Sequence, residues 1–89
     1  MKTQDPKYDI EDGRLVNAAT RVPIPEDEPI FILRAQDRRA AATLWEYWHD
    51  CVNLVHRNAV YKRLTAFRDF AERSHPERMK EPDTAEREA

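Results

Sequence analysis

Three kinds of apolar spacing alternate along this chain, and each predicts a different element. Tyr8-Asp9-Ile10 alternates apolar with polar and runs into Asp12-Gly13, the dipeptide best suited to a two-residue hairpin turn. Gly13 is the only glycine, so its place there points to a backbone that needs positive φ. Arg14-Leu15-Val16-Asn17 supplies the return strand, and Ala18 to Arg21 reads as a second turn. Pro23, Pro25 and Pro29 hold the following chain extended and remove ladder donors. Ile30 to Leu33 is then a continuous apolar run of strand length, expected in the sheet.

Beyond it the spacing changes to that of a helix. Asp37 is a suitable N-cap for a helix over 38–50, with Ala40, Leu44, Trp48 and Val52 on one stripe, widened by Ala41 and Trp45. A second helix over 56–73 carries Val60, Leu64, Phe67 and Ala71 on one face, and Pro76 stops it. Asn53 marks a break, but no Gly or Pro enforces one, so a single helix over 38–73 stays open. Residues 81–89 are acidic, carry no large apolar side chain and are expected to be a disordered tail. The expected fold is α+β: an antiparallel hairpin or sheet of two to three short strands packed on two α-helices, in one domain over 1–80.

At 89 residues such a domain has a thin core, which self-association often supplements. Charged residues make up 36% of the chain, yet the formal net charge is only -2, so no global field points to nucleic acid. The charge is unevenly placed. Residues 1–30 hold four Lys/Arg against seven Asp/Glu, residues 31–80 ten against six, and residues 81–89 one against four. A basic middle is therefore flanked by acidic ends. Cys51 is the only cysteine, which excludes an intrachain disulfide and fits a reducing cytoplasm. No apolar run approaches the ~18 residues of a membrane span.

Two clusters are the candidate chemistry. Arg34, Arg38 and Arg39 sit where strand chemistry gives way to a helix N-terminus, a place that disfavours cations. They are offset either by Glu26, Asp27 and Glu28 or by an anionic ligand. Four of the eight aromatics, Trp45, Tyr47, Trp48 and Tyr61, fall within residues 45–61. Trp45 and Tyr47 point up to 200° apart on a helix and cannot both share the apolar stripe of the first helix, so at least one of them is expected at an interface. Aromatics beside arginines suit stacked nucleotides and also suit protein interfaces. The ligand-binding candidates are therefore Arg34, Arg38, Arg39, Trp45 and Tyr47.

Catalytic and metal chemistry find less support. His49, Asp50, Cys51 and His56 lack the CxxC or HxxxH spacing of a zinc site and a second cysteine. One glycine rules out a glycine-rich phosphate loop, and there is no GxSxG. The expectation is a protein with no catalytic residues, metal or cofactor.

The run Ile24-Pro25-Glu26-Asp27-Glu28-Pro29-Ile30-Phe31-Ile32-Leu33-Arg34-Ala35-Gln36-Asp37, preceded by Tyr8-Asp9-Ile10 and Arg14-Leu15-Val16-Asn17, resembles small accessory proteins of bacteriophages and prophages. The shared pattern is proline, acids, proline, an apolar run and then "LRAxD" leading into a helix, and it covers roughly residues 8–55. The resemblance transfers no site. It implies a compact protein of the host bacterial cytoplasm, an inhibitor of bacterial defence that blocks a protein or sequesters a nucleotide signal as a homo-oligomer. Two functions stand open on this reading: a non-enzymatic binder of an anionic nucleotide, or an inhibitor or adaptor that docks on a host protein through its aromatic and basic helix face.

Overall fold

A computed structural model describes residues 5–85 and shows an α+β chain. Two compact units divide it, Met1–Phe31 and Ile32–Ala89.

The first unit is built on an antiparallel hairpin, β1 (Tyr8–Glu11) and β2 (Arg14–Asn17), in the register Tyr8 with Asn17 and Glu11 with Arg14. Asp12 (φ 52°) and Gly13 (φ 73°) both take left-handed backbone, as a type I′ turn requires. A second turn follows. The Asn17 side-chain carbonyl accepts from the amides of Ala19 (2.9 Å) and Thr20 (3.0 Å), and the backbone of Asn17 accepts from Arg21 (2.8 Å). This reverses the chain so that Val22–Ile24 runs back along β2. Asn17 donates to the Val22 carbonyl (2.9 Å), Ile24 donates to Leu15 (3.0 Å), and Val16 bridges Pro23 between them. Pro23 thus sits where the ladder asks for no donor, and its missing N–H costs nothing. Arg21 holds left-handed backbone (φ 63°), and its guanidinium clasps two carboxylates of β1, Asp9 at 2.6 Å and Glu11 at 3.3 Å. The hydrogen bond that Arg21 donates to Asp9, followed by the one it donates to Glu11, raises the Arg21 pKa.

The run Ile30 to Leu33 does not join this sheet: it carries neither strand nor bridge, and the place beside β2 is taken by Val22–Ile24. The turn at 17–21 is too short to bring anything later in the chain to β2.

In the second unit α1 (Ala40–Asp50) and α2 (Leu54–Asp69) form a hairpin. α1 begins later than expected, and Asp37 is not its cap. The Asp37 carboxylate accepts from the Arg39 amide (2.7 Å) ahead of the helix, and Arg39 occupies the cap position without a side-chain bond. The cause is long-range. The Lys80 carbonyl accepts from the Arg38 amide (2.9 Å), and the Lys80 amide donates to Gln36 (2.8 Å), a parallel bridge that draws 36–38 out of helical geometry.

Residues 38–73 are two helices. Cys51 is extended (ψ 126°), and the Asn53 side chain accepts from the His56 amide (3.0 Å), the bond that starts α2. Past Asp69 the helix widens into a π turn, Phe70–Ser74, before Pro76 opens a 3-10 turn to Arg78. Residues 81–85 have no regular structure but are tied back, because Lys80 Nζ lies 2.8 Å from the Asp83 carboxylate. The remainder of the expected tail, 86–89, lies outside the described residues. Among the described residues only Val16, Ala40 and Leu64 are fully buried, while Leu44, Trp48, Val60, Phe67 and Ala71 are half-buried. Val52 does not extend the α1 stripe; it lies past the helix end and is 92% exposed. No helix among the described residues is long and apolar enough to cross a membrane.

Candidate functional site

The three arginines divide between two surroundings. Arg38 is engaged by the C-terminal segment: its Nη2 donates to the Met79 carbonyl (3.3 Å), and its Nε lies 3.9 Å from the Glu81 carboxylate. Arg34 lines a shallow open groove with Lys80, where Asp37, Glu81 and Asp83 supply the carboxylates. That groove holds more acid than base. Its lysine is paired with Asp83, whose carboxyl is drawn below its ordinary value chiefly by that hydrogen bond. Arg39 is exposed, and neither Arg34 nor Arg39 forms an ion pair among the described residues.

The aromatics are placed along α1 and across to α2. Trp45 stacks on His49 of its own helix at 5.2 Å between centroids. Tyr47 points to the other side: its hydroxyl lies 3.3 Å from His56 Nε2, and the two rings meet edge-on at 5.9 Å. Trp48 lies between the helices, 5.7 Å from the Tyr61 ring, with the Arg57 guanidinium over its face at 4.5 Å. That cation–π contact satisfies Arg57 and covers one face of the indole. The five predicted ligand residues are therefore not drawn into one cradle. Arg38 and Arg39 precede α1, Arg34 lines the groove, and Trp45 and Tyr47 face opposite sides of α1, with Tyr47 about 10 Å of helix rise beyond Ala40.

The groups considered for catalysis are likewise separate. The Cys51 thiol donates to the Tyr47 carbonyl (3.2 Å), His56 is held by Tyr47, and His49 lies between Trp45 and Asp50. Among the described residues no three His, Cys, Asp or Glu side chains converge as metal ligands.

The feature that sequence reasoning missed is the turn between α1 and α2. Val52, Leu54 and Val55 are 92%, 73% and 81% exposed, three nearly consecutive apolar side chains in water. Tyr61, half-exposed, lies two turns from Leu54 on the same face of α2, and Tyr47 flanks the turn through His56. The signal was present in Asn53: an N-cap at that position ends the α1 stripe before Val52 and turns the flanking residues outward.

No family model, no curated protein and no solved structure matches this chain.

Proposed function

We propose that this chain is a non-enzymatic interaction protein, an inhibitor or adaptor that docks on a partner protein through the apolar turn of its helical hairpin. The observation that carries this reading is the exposure of Val52, Leu54 and Val55 together. Single exposed apolar residues are ordinary, but a contiguous set rimmed by tyrosines and arginine is the composition of a protein contact. Tyr47, Tyr61 and Arg57 form that rim, so the complementary surface is an apolar groove with carboxylates at its edge. The resemblance to phage accessory proteins makes a protein of the bacterial host the natural partner.

A second reading, sequestration of an anionic nucleotide, is favoured by Arg34 and Arg39, which carry no ion pair among the described residues. The two readings separate in one experiment. The wild-type chain is used to capture proteins from host lysate beside Val55→Asp and an Arg34→Glu/Arg39→Glu variant, and the captured protein is then purified and titrated. Docking through the turn predicts a single partner whose affinity falls at least about tenfold with Val55→Asp and little with the arginine pair. Native mass spectrometry with a nucleotide panel reads the other side. A nucleotide retained by the wild type and lost by the arginine variant overturns the docking reading in favour of sequestration.

A further inference from the structure

Ile30, Phe31 and Ile32 are 54%, 71% and 74% exposed, and among the described residues no hydrogen bond involves the backbone of Ile30 to Leu33. A run of β-branched and aromatic residues, with its backbone donors and acceptors unspent, has the properties of an edge strand that another strand can join. The flanks are charged with opposite sign. Glu28 precedes the run and Arg34 follows it, both exposed and without an ion pair among the described residues. A segment acidic at one end and basic at the other is complementary to an antiparallel copy of itself.

We infer that two copies of this chain pair through residues 28–34 as antiparallel strands about a two-fold axis at Phe31. In this register Phe31 faces Phe31 of the second copy, Ile30 faces Ile32, Pro29 faces Leu33, and Glu28 faces Arg34 at both ends. Residues opposite one another alternate between hydrogen-bonded and non-hydrogen-bonded pairs. With Phe31 at a non-hydrogen-bonded pair, Ile30 and Ile32 exchange the ladder bonds and Pro29 falls where no donor is needed. This is the arrangement Pro23 already has beside β2. A shift by one residue in one direction would set Glu28 against Ala35 and forfeit both ion pairs; in the other it would set Asp27 against Arg34, but no residue would then face its own copy and the two-fold axis would be lost. The contact is isologous, so it closes at two copies and does not propagate. Aromatic, aliphatic and opposite-charge cross-strand pairs are the contacts that stabilise such ladders. The pairing stands on this segment alone and is independent of what the helical hairpin binds.

The test is analytical ultracentrifugation of the full chain over a wide concentration series, with far-UV circular dichroism as a check that each variant retains its helices. The wild type is expected to approach twice the 10.5 kDa of one chain. Glu28→Lys and Arg34→Glu, each of which sets like charges opposite one another, should each weaken association by about tenfold. The double swap Glu28→Lys/Arg34→Glu should restore it, and Phe31→Asp should leave the chain monomeric. A wild type that is monomeric at every concentration overturns the inference. So does an association that Phe31→Asp leaves intact, or single swaps that weaken it without rescue by the double swap.

Discussion

Leu54 and Leu64 share one helix and one side chain but not one environment, and truncating each in turn measures what the small core contributes. Leu64 is 1% exposed and is one of only three fully buried residues among those described. Leu64→Ala removes its transfer energy and leaves a cavity, together about 2–5 kcal/mol at a buried leucine. A chain of 89 residues has a total stability of about 4–13 kcal/mol, and a core this thin belongs at the low end. A loss of about 3 kcal/mol is then half or more of the whole, and lowers Tm by about 12–24 °C in a domain of this size. Leu54, by contrast, stands 73% exposed at the first position of α2. Its truncation should stay within about 0.5 kcal/mol, the range of surface substitutions.

The assay is thermal and urea denaturation followed at 222 nm, which reads the helices because both lie in the same unit. Each variant is run at low and high protein concentration. The reasoning is refuted if Leu64→Ala costs less than about 1 kcal/mol, which would mean the site collapses or was never sealed. It is refuted equally if Leu54→Ala lowers Tm as much as Leu64→Ala. A loss that grows with concentration would show Leu54 covered by a second copy, and the hairpin turn would then be an interface between copies in place of a free docking surface.

Two further outcomes follow from local geometry. A Cβ added at Gly13 meets no atom within 4 Å, so Gly13→Ala carries only the conformational cost of φ +73°, about 1–2 kcal/mol. Gly13→Asn should cost less, and amide exchange across β1 and β2 distinguishes them; equal protection in all three chains would refute the turn assignment. The Asp83 carboxyl is held below its ordinary value by its hydrogen bond to Lys80, so the tether of the C-terminal segment is intact at neutral pH and is lost as pH falls through that lowered pKa. Carboxyl NMR titration should show Asp83 returning to the ordinary range in Lys80→Met, and an unchanged titration would remove the ion pair from the account.

Short-range chemistry was legible in the chain, and contacts between distant positions were not. Asp12-Gly13 specified the first turn and its two positive φ angles, and Ala18 to Arg21 read as the second, which the Asn17 side chain closes. The helical stripes located α1 and α2, and Asn53 marked their boundary although residue identity alone left one continuous helix open. The failures share a cause. Asp37 has the chemistry of an N-cap, but Lys80 arrives from more than forty residues away and takes the neighbouring amide. Ile30 to Leu33 has the composition of a strand, but nothing local reveals that Val22–Ile24 already occupies the edge of β2. In the candidate site, both the arginines and the aromatics were visible as residue types. That Arg57 rests on the face of Trp48, and that Arg38 is bound by the C-terminal segment, depends on how the helices and that segment pack.

The two exposed apolar stretches differ in what their backbones still need, and that difference decides what each can accept. Leu54 and Val55 open a helix whose ladder takes up their carbonyls and whose Asn53 cap engages the His56 amide, so an occupant there gains chiefly side-chain burial, and a groove on another protein provides it. Ile30 to Ile32 has unspent donors and acceptors as well as exposed side chains, so an apolar groove alone would bury those polar groups without partners. Only a strand satisfies both requirements, and the charges at its two ends make the strand of a second copy a fitting one. If copies pair in this way, each pair presents two hairpin turns on one particle. A partner that offers two grooves, or an array of them, is then held by two contacts, and the second forms at the effective concentration set by the first. A chain with so little buried surface would in this way obtain tight binding from contacts that are individually weak.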